Sequence, residues 1–208
     1  LFGKLENKSF SELNQLENKT LAESSITISI AEIDEQIKKI ENSSWNKFKV
    51  KCNGFNLKNT EKLLNLNRNI ALDANASFTK EDCLFIQETS GFQKLMYIEQ
   101  PLEIGNFGIL KNGNSVNWMA DEDCQDITFL EKLKPYYSSI NIKLMKCGGL
   151  TPALEMITEA KKLGYKIMLG CMTESSIGIS AGCAIAGLLD FADLDGANLI
   201  SNDYATGS

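Results

Sequence analysis

The chain contains no histidine among its 208 residues. This absence excludes Ser-His-Asp triads, Cys-His pairs and every metal site that is built on imidazole. Acid–base chemistry in this protein must therefore use lysine, carboxylate, tyrosine or cysteine side chains.

Several other features are missing. No apolar run approaches the ~20 residues that a membrane helix needs, and the start of the chain has no signal-peptide pattern. The six cysteines form no CxxC pair and no zinc-binding spacing, so we expect reduced thiols. The formal net charge of −6 argues against nucleic acid and anionic membranes as partners. We therefore expect a cytoplasmic globular protein, and the sequence leaves a homo-oligomer open.

Short β-rich runs alternate with helical stretches along the chain. The β-rich runs cover residues 25–30, 48–52, 69–73, 95–99, 116–120, 140–145, 165–169 and 193–200. Strands that alternate with helices are typical of parallel β/α units. About eight such units predict an α/β fold of the closed (β/α)8 type, with a doubly wound open sheet as the alternative.

The intervals between these runs carry helix signals. Thr79 is expected to cap one helix, and Thr151 is expected to cap another, with Pro152 at its first position. Gly164 is expected to end that second helix. The interval 53–68 is short, which predicts a clipped helix there.

Three consecutive predicted strands end in a carboxylate, at Asp73, Glu99 and Asp121. The carboxyl ends of barrel strands meet on one face, and adjacent strands lie ~4.8 Å apart. Three carboxylates that close repel one another unless a cation lies among them. Ligation by oxygen alone favours a hard cation, Mg²⁺ first and Mn²⁺ second.

Lysines flank this predicted acidic group. Lys49 and Lys51 share one face of their strand, where two ammonium groups are expected to lower each other's pKa toward the range of a general base. Lys143, on the sixth predicted strand, would approach from the far side. One base on each face of a carbon is the arrangement needed for racemisation or epimerisation. A divalent cation would stabilise the enediolate formed when a proton leaves the carbon beside a carboxylate.

The chain resembles the muconate-lactonising subgroup of the enolase superfamily. The matching segments are FKVKC, LDANASF, YIEQPL, MADEDC and INIKLMKCGGL within residues 48–150, followed by GCMTESSIG and ADLDG. The resemblance implies a TIM-like, modified (β/α)7β barrel in which Lys51 and Lys143 are the acid/base pair. It also implies that Lys146 is a helix-start residue and not the catalyst. The Mg²⁺ ligands that it implies are Asp73, Glu99 and Asp121.

Within this subgroup the chain is most similar to the dipeptide epimerases. Asp193 and Asp195 match their DxD motif, and two carboxylates on one strand face suit the α-amino group of a dipeptide. The implied substrate is a dipeptide such as L-Ala-D/L-Glu, a fragment of cell-wall peptide. The other substrate-binding residues implied by the resemblance are Thr27, Lys49, Cys171, Met172 and Thr173.

The resemblance implies a single barrel domain over residues 1–208, with a linker or helix remnant at 1–20 and the catalytic barrel at about 25–200. The N-terminal α+β capping domain of the family is expected to be absent from this chain. Muconate cycloisomerase and o-succinylbenzoate synthase are alternative activities of the same site, although neither substrate carries an ammonium group. A non-catalytic barrel remnant is a further alternative. A doubly wound nucleotide-binding domain is disfavoured because residues 31–36 contain no glycine.

Overall fold

A computed structural model describes residues 2–16, 20–113 and 116–205. Eight parallel strands pair in chain order in one sheet. They are β1 Ile26–Ile28, β2 Lys47–Lys51, β3 Asn69–Asp73, β4 Ile98–Glu99, β5 Trp118–Ala120, β6 Ser139–Lys143, β7 Lys166–Gly170 and β8 Phe191–Asp193. A parallel bridge between Ser24 and Ala192 joins the first edge to the last, and the Ser25 amide donates to the Ala192 carbonyl at 2.8 Å. The predicted barrel is thus confirmed, and an open sheet is excluded.

Helices surround this barrel. The α-helices of the described residues are α1 Phe2–Glu6, α2 Phe10–Leu13, α3 Ile33–Glu41, α4 Leu57–Leu64, α5 Lys80–Glu88, α6 Leu130–Leu133, α7 Leu144–Cys147, α8 Leu150–Lys162 and α9 Ser176–Cys183. Short 3-10 turns lie at Phe92–Lys94, Phe107–Ile109, Ile127–Phe129, Ala186–Leu188 and Gly196–Leu199. The eight residues of α4 are the clipped helix expected between β2 and β3.

Two helix boundaries agree with the sequence prediction and one does not. Thr79 caps α5, accepting from the Asp82 amide at 3.1 Å, while the Asp82 carboxylate accepts from the Thr79 amide at 2.9 Å. Gly164, at a φ of 72°, follows the end of α8. The predicted N-cap at Thr151 is wrong, because the cap of α8 is Gly149. Pro152 is tolerated at the third position, since amides of the first turn have no partner within the helix.

The predicted eighth strand at 193–200 is also wrong. The strand ends at Asp193, and the chain then turns into the 3-10 segment Gly196–Leu199. Gly196 packs directly against the Met172 carbonyl, where a side chain would have no room. This close approach bends the chain under the loop that follows β7.

Strand residues alternate between two environments. Apolar side chains on the outer face pack against the helices, for example Phe48, Val50, Ile70 and Leu72. The barrel interior has a separate apolar floor of Ala71, Tyr97, Met119 and Met168. Nearer the carboxyl ends of the strands the buried interior residues are polar or charged, namely Lys49, Asp73, Glu99 and Asn141. Their charges therefore interact strongly, because water is excluded. No helix of the described residues is long and apolar enough to cross a membrane.

Candidate active site

Three buried carboxylates form a row at the carboxyl ends of neighbouring strands. Asp73 and Glu99 are the last residues of β3 and β4 and are paired in register, and Asp121 directly follows β5. None of the three is more than 2% exposed. The barrel brings them together because each strand contributes one residue to the same level of the interior.

The two outer carboxylates of this row are each paired with a lysine. Lys51 Nζ lies 2.9 Å from Asp73 Oδ2, and Lys143 Nζ lies 2.7 Å from Asp121 Oδ2. Since Asp73 and Asp121 stand on either side of Glu99 in strand order, these two ammonium groups flank the row. The structure thus places one lysine at each end of an acidic centre.

Glu99, the central carboxylate, is less fully neutralised. Its Oε1 accepts from Asn141 Nδ2 at 2.7 Å, whereas its Oε2 accepts no hydrogen bond and lies 3.4 Å from Lys49 Nζ. Burial raises the pKa of Glu99 to about 8; Lys49 opposes that rise, and the charges of Asp73 and Asp121 add to it. The middle of the row is therefore a place where additional positive charge is favourable.

The donor atoms suit a hard cation, because they are carboxylate oxygens without thiolate or imidazole. The buried Oε2 of Glu99, which has no hydrogen-bond donor, fits the same role. As they stand, however, no three His, Cys, Asp or Glu side chains in the described parts of the chain lie close enough together to chelate an ion. Asp73 and Asp121 are each drawn to a lysine, so chelation requires them to turn toward Glu99.

Lys49 differs from the sequence expectation. It is buried and faces three carboxylates, with Nζ 3.4 Å from Glu99, 3.7 Å from Asp73 and in close contact with Asp193. Burial alone would lower the pKa of Lys49, but the carboxylates outweigh it and hold that pKa well above its usual range. The expected lowering is thus wrong for Lys49, because the acids around it outnumber the neighbouring ammonium groups.

Lys143 shows the same balance. Burial opposes its charged form, but contact with Asp121 raises its pKa above the ordinary value. The carboxylates, and not the other lysines, therefore dominate the electrostatics of both side chains.

The two acids of the DxD motif have separate partners. Asp193 ends β8 and is held by Lys49 and by Ser25 Oγ, which donates to it at 3.1 Å. Asp195 lies beyond the strand and accepts from the Thr27 amide at 2.6 Å. The premise that both carboxylates share one strand face is therefore wrong, because β8 ends before Asp195. Burial and the nearby Asp193 raise the pKa of Asp195.

The loop after β7 contains the other predicted substrate-binding residues. Cys171 is half-buried, while Met172 and Thr173 are exposed. Burial raises the pKa of Cys171 to about 11, and Asp193 adds to the effect, so its thiol stays protonated at neutral pH. Gly196, which follows Asp195, packs against Met172 and Cys171, so this loop lies beside the DxD acids.

Sequence reasoning missed four polar residues that hold the centre together, namely Asn75, Gln100, Asn141 and Lys146. Asn75 Oδ1 accepts from Lys51 Nζ at 2.7 Å. Lys146 was expected to begin a helix but is the third of the four residues of α7, and its Nζ lies 2.6 Å from Asp121 Oδ1. Asn141 could have been found, because it precedes Lys143 by two residues and so shares its strand face. Gln100 gave no such signal.

Fold and site together define a closed β/α barrel with a lysine-flanked acidic centre at the carboxyl ends of its strands. The chain belongs to the enolase C-terminal domain-like family, whose model matches residues 32–202.

Individual relatives agree with this assignment. An L-Ala-D/L-amino acid epimerase from Maribacter sp. is 36% identical over all of this chain and 63% of its own length. An enolase family member from Agrobacterium tumefaciens with homology to dipeptide epimerases, crystallised with sodium and L-Ala-L-Glu, has a TM-score of 0.87 at 32% identity, over 98% of this chain and 64% of its own. A dipeptide epimerase from Methylococcus capsulatus, crystallised with Mg and L-Arg-D-Lys, has a TM-score of 0.76 at 28% identity. The match covers 88% of this chain and 57% of the relative. The chain thus spans less than two thirds of each relative.

Proposed function

We propose that this barrel belongs to a Mg²⁺-dependent dipeptide epimerase. It would move the α-proton of the C-terminal residue of a dipeptide such as L-Ala-D/L-Glu, through an enediolate. The observation that carries this proposal is the pair of lysines at opposite ends of the acid row, Lys51 on Asp73 and Lys143 on Asp121. Epimerisation needs two proton-transferring groups on opposite faces of one carbon, and in this proposal the two lysines serve as that pair.

In this proposal Asp73, Glu99 and Asp121 hold the cation. Mg²⁺ would supply positive charge that stabilises the enediolate oxygens relative to the substrate carboxylate, and Mn²⁺ could take its place. The unpartnered Oε2 of Glu99 and the oxygen-only donor set support a hard cation. The magnesium found with the Methylococcus capsulatus relative supports the same assignment.

We assign substrate binding to residues of β1 and β2 and to residues at or beyond the ends of β7 and β8. Asp195 would bind the α-amino group of the dipeptide. The backbone amide of Thr27 donates to Asp195 and would hold its carboxylate in place. Asp193 would act through Lys49, and Lys49 would meet the substrate carboxylate. The exposed loop of Cys171, Met172 and Thr173 would lie along the peptide backbone. An ammonium site favours the epimerase over muconate cycloisomerase and o-succinylbenzoate synthase, whose substrates carry none.

The biological setting is part of the same proposal. The dipeptide would be a fragment of cell-wall peptide; the names of two relatives, both L-Ala-D/L-Glu epimerases, support the dipeptide itself. The protein would work in the cytoplasm, and its six free thiols support a reducing compartment.

Deuterium uptake tests this function. The full-length protein is incubated with L-Ala-L-Glu and Mg²⁺ in D₂O, and the glutamate α-carbon is followed by NMR. We expect deuterium at that carbon together with formation of L-Ala-D-Glu. N-acetyl-L-glutamate, which lacks the ammonium group, should exchange more slowly if Asp195 binds that group.

Two lysine variants provide the matched comparison. Lys51→Ala should lower epimerisation by at least ~100-fold, since it removes a proton-transferring group. Lys62→Ala should leave the rate unchanged, because Lys62 pairs with Asp34 on the surface. Absence of deuterium uptake by the unmodified protein would reject the proposed function.

A further inference from the structure

Gln100 connects the loops that carry all three carboxylates. It follows Glu99 directly, and its backbone carbonyl accepts from the Ala76 amide at 2.7 Å, in the loop after Asp73. Its side-chain Oε1 accepts from the amides of Asp121 and Asp123, each at 3.1 Å. One residue therefore joins the ends of β3, β4 and β5.

The backbone of Gln100 is strained. Its φ of 35° lies in the left-handed region, which residues other than glycine rarely adopt, and the residue is fully buried. Asn75 and Ala76, in the facing loop, also have positive φ values, of 40° and 65°. Strain of this kind persists only where surrounding contacts enforce it, and it is concentrated at functional sites.

The contacts that enforce this conformation come from behind the acid row. Gln100 Nε2 donates to the Leu102 carbonyl at 2.8 Å and to Asp123 Oδ2 at 2.9 Å. Asp123 is held in turn by the hydroxyl of buried Tyr137 at 2.8 Å and by the Gly105 amide at 2.8 Å. The side chain of Gln100 thus uses both donor hydrogens and accepts twice, with no access to solvent.

We propose that Gln100 is a positioning residue for the cation site. Gln100 follows Glu99 directly and accepts from the Asp121 amide, so it sets the separation of these two carboxylates. Its carbonyl joins the loop after Asp73 to the same two strand ends. Asp123 and Tyr137 fix the orientation of the Gln100 amide. This inference rests on the proposed cation site but concerns a residue outside the ligand set.

A remote glutamine offers a matched control. Gln87 also bridges backbone groups, donating to the Ile109 carbonyl at 3.3 Å and accepting from the Lys111 amide at 2.8 Å. It lies on α5, away from the carboxylates. Its loss removes two hydrogen bonds to backbone groups, against four at the Gln100 side chain, without changing the spacing of the acids.

The test measures Mn²⁺ binding by electron paramagnetic resonance, with thermal unfolding as a check on folding, for the full-length protein and its variants. Gln100→Met keeps the length of the side chain and removes its hydrogen bonds. It should raise the Mn²⁺ dissociation constant by about 10- to 100-fold, the usual effect of losing a group that orients metal ligands. Gln87→Met should lower the melting temperature while changing the dissociation constant by less than about twofold.

The outcomes separate the two proposals. If the unmodified protein does not bind Mn²⁺, the proposed function and this inference both fail. If it binds, and folded Gln100→Met binds equally well, the inference is overturned while the proposed function stands. If Gln100→Met does not fold, Tyr137→Phe decides, since it removes one hydrogen bond from Asp123. A dissociation constant raised about threefold or more supports the inference, and an unchanged one overturns it.

Discussion

At the scale of single residues, Lys146 stabilises Asp121 through both its carboxylate and its backbone carbonyl. Its Nζ lies 2.6 Å from Asp121 Oδ1 and 2.7 Å from the Asp121 carbonyl, and it also contacts the carbonyls of Cys124 and Asn141 at 3.1 Å. Burial opposes ionisation of Asp121, but Lys146 and Lys143 outweigh it and keep the pKa of that carboxyl below its usual range. Asp121 is therefore held as a carboxylate, oriented by one lysine and facing the other.

This contact predicts a large cost for removing Lys146. Lys146→Met should lower the free energy of unfolding by about 3 kcal/mol, because it leaves buried oxygens unpaired while Lys143 still offsets part of the Asp121 charge. Lys62→Met removes an exposed ion pair to Asp34 and should cost no more than about 1 kcal/mol. Urea denaturation of both variants checks this contrast. Equal losses would show that Lys146 contributes no more than a surface pair.

At the scale of elements, β6 and β7 approach closely at the level of the acid row. Gly170 pairs with Lys143 in register, and its missing side chain makes room for Asn141. A Cβ at Gly170 would lie 2.5 Å from Asn141 Oδ1, and Asn141 is the donor to Glu99. The packing of two strands therefore fixes the orientation of the central carboxylate.

Gly170→Ala should consequently destabilise the protein by about 1–3 kcal/mol, the usual cost of overpacking a buried site. Gly108→Ala is the matched control, because a Cβ there meets no atom within 4 Å, and it should change stability by less than about 0.5 kcal/mol. The two free energies of unfolding are compared in urea. Indistinguishable values would contradict the steric account.

The number of strands and the placing of Asp73, Glu99 and Asp121 at neighbouring strand ends could be predicted from the sequence, because β-rich runs and the residues that end them are local features. The end of β8 could not, since it depends on Gly196 meeting the backbone of the preceding loop. The contacts of Gln100 were equally inaccessible. The side chain of Gln100 contacts Asp121 and Asp123, which lie 21 and 23 positions away in the sequence. These contacts also depend on a backbone conformation that no local sequence pattern predicts.

At the scale of the whole molecule, closure of the barrel assembles the centre. Side chains from five consecutive strands or their ends reach one level only because the sheet curves until Ser24 bridges Ala192. An apolar floor beneath this level and helices around it keep water from the charges, which strengthens each ion pair. The function therefore depends on the fold as a unit, even though each side chain is placed by its own strand.

We propose that Lys51 and Lys143 act on opposite faces of one carbon. The most direct measurement is deuterium exchange by Lys51→Ala and Lys143→Ala, each incubated with L-Ala-L-Glu and separately with L-Ala-D-Glu. We expect each variant to lose exchange of a single epimer, and the two variants to lose opposite ones. If both variants lose exchange of the same epimer, or both still exchange the two epimers, the lysines do not act from opposite faces.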